Sequence, residues 1–194
     1  MRYNIAPTQG IAVIVESNAG RELEMMRWGL IPSWSKDPKS IPLYFNAKSE
    51  TAAEKPSFRS PMRRRRCLIP LDGFYEWKKE GKQRLPFYFR RPDEQPFAFA
   101  GIWDQWQDTK SCAILTTSPN GLMAPLHDRM GVILSPNDYD VWLDTEANEP
   151  AKVTYLYEPF PDSELIATPV STVVNNAKYE GPDCITAPVK DTLF

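Results

Sequence analysis

The sequence predicts one domain of many short strands and fixed turns rather than long helices. Three observations lead there. Nineteen prolines stand against nine glycines, and 12% of the residues are aromatic, which suits strands and pre-set turns better than long helices. The apolar runs are short and are punctuated by Gly, Pro, Asn and Asp. The length, 194 residues at 42% hydrophobic, is that of a single domain, 1–194, with a real core. No apolar run approaches membrane-spanning length and no signal-peptide pattern opens the chain, so no membrane partner is expected. Cys67, Cys112 and Cys184 are odd in number and widely spaced. They form neither a disulfide framework nor a zinc pattern, so a reducing cytoplasm is the expected compartment, with no metal and no cofactor.

The formal net charge of −2 hides an asymmetry. Residues 1–91 hold 18 Lys+Arg against 9 Asp+Glu, a balance of +9, and residues 92–194 hold 5 against 16, a balance of −11. Screening confines each charge to roughly 10 Å, so the basic half can bind a polyanion locally or pair with the acidic half.

In chain order, a turn-forming start precedes a strand over residues 11–15, and Ser17-Asn18-Ala19-Gly20 reads as a hairpin turn into a second strand over 22–28. Trp34 follows in a loop bracketed by Pro32 and Pro38, where an indole either stacks on a nucleobase or covers its own core. Asn46 sits at a strand end, and its amide either holds the turn or binds a ligand. Thr51-Ala52-Ala53-Glu54 has capping-box spacing for a helix start. Arg63-Arg64-Arg65-Arg66 cannot share one face, so two at most follow a phosphate track; a solvated basic edge and nucleic-acid contact are equally open given the +9 half.

The chain is organised around Cys67-Leu68-Ile69-Pro70-Leu71-Asp72-Gly73-Phe74-Tyr75-Glu76-Trp77. If this run stays extended, Asp72, Phe74 and Glu76 share one face, with Tyr75 and Trp77 on the other. A glutamate among rings loses solvation, which raises its pKa and makes it usable as an acid or base near neutrality; it is otherwise a rim glutamate beside ordinary strand packing. Residues 85–89 and 97–103 read as a paired set of core strands, and 113–117 as another strand. A loop then reaches His127, the one histidine, which is either a proton shuttle or a structural hydrogen-bonding group. A helix with Pro136 in its first turn and a tail of short strands complete the chain.

Taken in order, Arg2-Tyr3-Asn4-Ile5-Ala6-Pro7, Trp28-Gly29-Leu30-Ile31-Pro32-Ser33-Trp34, Asn46-Ala47-Lys48-Ser49-Glu50-Thr51, the central run, Leu126-His127-Asp128-Arg129-Met130 and Pro169-Val170-Ser171 resemble the SOS response-associated peptidase (SRAP) family. The resemblance covers residues 2–180. It implies an α+β fold, mostly antiparallel strands in a barrel-like domain with short peripheral helices. It implies capture of abasic sites in single-stranded DNA by a monomer. In the family, a cysteine after the initiator methionine becomes the mature N-terminus and closes a thiazolidine on the sugar aldehyde; the peptidase name reflects removal of that methionine. By position, Glu76 matches the acid/base glutamate, His127 the proton-transfer histidine and Asn46 the sugar-orienting asparagine. Arg2, Asn4, Pro7, Trp34, Lys48, Thr116 and Arg129 fall at DNA-contacting positions. The chain departs from the family in having no Cys-Gly-Arg-Phe leader before Met1, so it is expected to be shortened relative to the family. It also has Trp34-Ser35 where a tryptophan pair is common, Gly131 where a proline is common (expected to loosen the His127 loop), and Lys48 for arginine, which gives up bidentate phosphate contact.

Three readings follow. One is a DNA–protein crosslinking enzyme with lyase-type and peptidase activity, complete only with its leader. Another is a non-covalent single-stranded-DNA binding module. The last is a hydrolase acting through Glu76 and His127, which no motif supplies with a Ser or Cys nucleophile.

Overall fold

Strands β1 (Gly10–Ser17) and β2 (Gly20–Trp28) form the expected antiparallel hairpin, with Ser17 opposite Gly20. Strict alternation on β1 buries Ile11, Val13 and Val15, while its other face stays partly open. The structure, a computed structural model, describes residues 2–147 and 149–188; Met1, before which the family's leader is expected, lies outside them. Next come β3 (Asn46–Lys48), α1 (Ser49–Ala52), α2 (Arg59–Arg64), β4 (Arg66–Leu71), β5 (Phe74–Glu80), β6 (Gln83–Arg90), β7 (Phe97–Trp106) and β8 (Thr109–Thr117). The chain continues through β9 (Met130–Gly131), β10 (Ile133–Leu134), α3 (Tyr139–Leu143) and β11 (Ile166–Pro169). Among the described residues no helix is long and apolar enough to cross a membrane.

Strands β7, β4, β1, β2 and β8 pair in that order, and β8 pairs back onto β7, closing a five-stranded barrel. All contacts in the ring are antiparallel except β2 with β8, so the fold is α+β with a mixed barrel. Val13, Val15, Met26, Cys67, Ile69, Phe99, Cys112 and Ile114 form one buried cluster, and they come from all five strands of the ring, β1, β2, β4, β7 and β8. That cluster therefore fills the barrel. The opposite faces of β4, β7 and β8 pack Leu68, Ala100, Ile102 and Leu115 against Phe58, Met62 and Trp142 of the helical side. Both faces of these central strands are dry, which explains their continuous apolar runs.

Three local expectations are corrected. The central run does not stay extended: it breaks at Asp72-Gly73, leaving β4 in the barrel and β5 in a separate three-stranded sheet, β11–β6–β5. Gly73 makes the corner possible, because a Cβ there would lie 2.4 Å from both the Phe89 carbonyl oxygen and the Tyr88 ring. The strands over 85–89 and 97–103 do not pair with each other; β6 joins β5 and β11, while β7 belongs to the barrel. The two apolar runs meet through side chains, Phe74 stacking on Phe89 at 5.1 Å and meeting Phe97 edge-on at 6.4 Å. Finally, no capping box opens α1. The helix starts at Ser49 directly from β3, with Lys48 at the N-cap and no side-chain cap bond, because the strand leads straight into the turn.

Candidate functional site

β3 pairs in parallel with β8, placing Asn46 opposite Ile114 and Lys48 opposite Thr116. Side chains of paired residues share a face, so Asn46 and Lys48 lie on the side of Ile114 and Thr116, while Ala47 turns into the core. Thr116 is in turn opposite Gly131 of β9. Gly131 has no side chain because Phe99 occupies that space: a Cβ would stand 2.3 Å from its ring. Gly131 itself stands in a strand between β8 and the Phe99 ring. Phe74 packs on the Phe99 ring at 5.2 Å, and Glu76 follows two residues on along the same face of β5. A continuous line thus runs from Asn46 and Lys48 through Thr116, Gly131, Phe99 and Phe74 to Glu76.

Glu76 is half-buried, opposite Phe87 on β6. Desolvation holds its carboxyl above the ordinary range, while the charge of nearby His127 and the backbone N–H of Trp77 pull it part of the way back. The two groups are therefore within electrostatic reach of each other, although 51 positions separate them in the chain.

His127 is half-exposed at the end of a pinned turn. Buried Asn120 donates to the Phe160 carbonyl at 2.8 Å and accepts from the Met123 N–H at 2.9 Å. Asp162 accepts from the Gly121 N–H at 2.9 Å, and the His127 N–H donates to the Met123 carbonyl at 3.0 Å. On the imidazole, Nδ1 accepts from the Arg129 backbone N–H at 2.9 Å; the Arg129 carbonyl is 3.0 Å away and Asp128 Oδ1 3.2 Å. The Arg129 guanidinium grips Glu50 of α1 in a two-pronged pair, 2.7 and 2.8 Å, and also donates to the Thr116 carbonyl. Glu50, whose carboxyl is held below its usual range chiefly by that bond, carried no role in the sequence reading. The signal available was its place in the Asn46–Thr51 motif on the strand-to-helix junction.

An aromatic margin adjoins Asn46. The Trp28 indole N–H donates to the Phe45 carbonyl at 2.9 Å, and the two rings meet edge-on at 6.3 Å. Pro7 is joined to this margin through Thr8, whose N–H donates to the Trp28 carbonyl at 2.7 Å. Trp34 is 57% exposed, and its N–H donates to the Pro56 carbonyl at 3.3 Å, so the ring stands out from the loop instead of covering a core.

Arg2 and Asn4 are placed elsewhere. Asn4 is buried, its amide nitrogen donating to the carbonyls of Val174, Asn176 and Tyr179 at 3.1–3.2 Å. Arg2 pairs with Glu180, whose carboxylate also takes the N–H groups of Tyr3 and Asn4. Both side chains anchor the N-terminal segment to residues 174–180. Of the four arginines, Arg66 is buried over the Trp142 ring at 5.1 Å, and Arg65 pairs with buried Asp104 at 2.6 Å. Arg63 and Arg64 remain exposed, lining an open depression of about 820 Å³ with Glu146 and Glu149 and none of the residues of the Glu76–His127 line. The three cysteines are buried and unpaired by disulfide, and burial pushes the Cys112 thiol up to about 12. Among the described residues no group of His, Cys, Asp and Glu could hold a metal ion.

A match to the family described as SOS response associated peptidase (SRAP) spans residues 1–177. The abasic site processing protein YoqW of Bacillus subtilis is 40% identical over 189 residues, covering 94% of this chain and 84% of that one. The abasic site processing protein YedK of Escherichia coli is 30% identical over 189 residues, covering 95% and 83%. A crystal structure of a Bacteroides thetaiotaomicron protein superposes with a TM-score of 0.84 at 28% identity, covering 94% of this chain and 82% of that one. With that span of sequence and the same barrel, the chain belongs to the SRAP family.

Proposed function

We propose that this protein captures abasic sites in single-stranded DNA, with the opened sugar lying between Glu76, His127 and Asn46. The observation that carries the reading is the half-buried Glu76 at the end of the line that runs from Asn46 through Thr116, Gly131, Phe99 and Phe74, its carboxyl raised by desolvation and acted on by the His127 charge. A carboxyl raised above its ordinary range holds a proton more readily than a free glutamate and can return it, which aldehyde condensation needs twice. Asn46 presents an exposed amide at the same edge, and Lys48 beside it supplies a cation for a flanking phosphate. Trp34, Pro7 and the Trp28–Phe45 pair offer apolar faces for the neighbouring bases.

The covalent step is that of an N-terminal cysteine ahead of Met1. Its α-amine adds to the aldehyde carbon and water leaves, giving an imine; its thiolate then adds to the imine carbon, and the nitrogen takes a proton to complete the thiazolidine. Glu76 hands protons to the departing hydroxyl and takes them from the amine. Both nucleophiles sit on one frame, so the second addition is intramolecular. None of the three internal cysteines can substitute, since all are buried and none has a free α-amine.

The second reading, non-covalent binding of single strands, is favoured by the exposed Trp34 and by the buried state of every thiol in the 194-residue chain. A denaturing gel with a uracil-glycosylase-treated oligonucleotide separates the two. The chain as it stands is expected to bind without a heat-stable adduct, and a version extended by Met-Cys-Gly-Arg-Phe and an intervening linker from a relative to form one. An adduct from the unextended chain would mean that another nucleophile, such as a lysine, does the chemistry.

A further inference from the structure

We infer that Glu50 is a positioning residue for His127, acting through Arg129 to keep the imidazole proton on Nε2. The importance of that proton for the sugar rests on the function proposed above; the positioning itself does not.

Three of the five N–H donors of Arg129 are taken up inside the protein, two by Glu50 and one by the Thr116 carbonyl. Such a fork fixes the side chain in plane and direction far better than a single contact. It ties α1 to β8 and to the strand entry at Met130, immediately after the His127-Asp128-Arg129 turn. With Arg129 held, its backbone N–H is aimed at His127 Nδ1 at 2.9 Å. An amide N–H can only donate, so a neutral imidazole must turn a lone pair to it, and the proton goes to Nε2. The alternative tautomer would place the Nδ1 proton against the amide proton and donate to the Arg129 carbonyl at 3.0 Å. In the Nε2–H tautomer the Arg129 N–H keeps its acceptor, and a carbonyl left without a donor is the better tolerated of the two losses. The groups facing the ring are Asp128, Arg129 and Glu76, and those facing Glu50 are Arg129 and Lys48. Arg129 is thus a brace in this structure, joining α1 to β8 and to the His127 turn.

The chain contains a single histidine, so its imidazole nitrogens can be read by NMR without ambiguity on uniformly ¹⁵N-labelled protein free of DNA. In the neutral state, the wild-type ring is expected as the Nε2–H tautomer. E50Q keeps the shape but removes the charge that holds the fork, and R129K keeps the charge but removes the fork. Each should lower the ratio of Nε2–H to Nδ1–H about tenfold, in the range that lost supporting contacts cost a ligating histidine. The same E50Q change in the leader-extended protein should slow adduct formation while non-covalent affinity for an intact oligonucleotide stays within about twofold, a split expected of a residue acting on the proton carrier alone. An unchanged tautomer ratio in both variants overturns the inference. So does tighter DNA binding with a steeper salt slope in E50Q, which would make Arg129 a phosphate ligand restrained by Glu50. A shifted ratio with an unchanged adduct rate upholds the positioning and instead removes His127 from the proposed chemistry.

Discussion

Glu76 and Glu50 are two carboxylates whose environments push them in opposite directions, and the consequences for stability have opposite signs. Glu76 has a folded pKa raised by desolvation above its ordinary 4.5. The folded state therefore binds this proton more tightly than the unfolded chain, and stability falls as pH rises from about 4.5 through the folded value. E76Q removes the buried charge, so it should raise the melting temperature at pH 7 by about 2–4 °C for a chain of this size. The gain should vanish below pH 4, where both proteins are neutral at this position. The same variant should slow adduct formation in the leader-extended protein by about 10²-fold or more, the usual worth of a positioned acid–base group. A calorimetric pH series with a parallel gel assay checks both halves, and loss of activity without a stability gain would place Glu76 outside the desolvated setting. Glu50 has a folded pKa below its ordinary 4.5, so its pairing with Arg129 contributes above that value and is lost as pH falls through the folded one. Because Glu50 is half-exposed, its effect on stability in E50Q should stay below about 1 kcal/mol.

At the scale of elements, the corner between β4 and β5 decides where Glu76 goes. β4 is fixed in the barrel by six paired residues along β7, and β5 by seven along β6. Only a residue without a side chain fits between the Phe89 carbonyl and the Tyr88 ring. G73A should cost about 1–3 kcal/mol, the usual range for overpacking, measured by urea unfolding. It should also weaken adduct formation by displacing β5. G131A meets a similar obstacle in the Phe99 ring, so a relative with proline there must carry a different packing at the position of Phe99. These contacts explain what a linear reading misses. Phe74, Tyr75 and Trp77 are legible as strand residues, and the split of their faces is legible from alternation. That Asp72-Gly73 ends one sheet and starts another is not legible, because the obstacle comes from Tyr88 and Phe89, residues of a strand still to come.

For the whole molecule, the basic half of the chain is less available than its charge suggests. Arg65 and Arg66 are held by Asp104, the Asp144 carbonyl and two tryptophan rings, and Arg2 by Glu180. R66A should therefore destabilise by about 1–3 kcal/mol, through the Asp144 carbonyl left without its donor and the packing lost over Trp142, without a specific effect on DNA binding. W34A should weaken binding to single strands by about 1–3 kcal/mol and leave the fold intact. Affinity should fall with salt along a slope near −0.7 for each phosphate neutralised, and K48A should reduce that slope by about 0.7. Fluorescence anisotropy at several salt concentrations tests these together; a slope unaffected by K48A would move the phosphate track away from β3.

The sequence by itself determined the strand-rich architecture, the β1–β2 hairpin and the family, because these rest on local alternation, turn residues and motifs in order along the chain, and it left Glu76 between a desolvated acid–base group and a rim glutamate. It also brought Asn46, Glu76 and His127 forward, as an amide at a strand end, a carboxylate among rings and the one histidine. Tertiary structure alone decided that Asn4 is buried under three carbonyls, that Arg65 and Arg66 face inward, that the central run divides between two sheets, and that Glu50 grips Arg129 from 79 positions away. The physical reason is common to all four. A side chain's partner is set by which strands close the barrel, and barrel closure is a pairing between distant segments that no local pattern encodes.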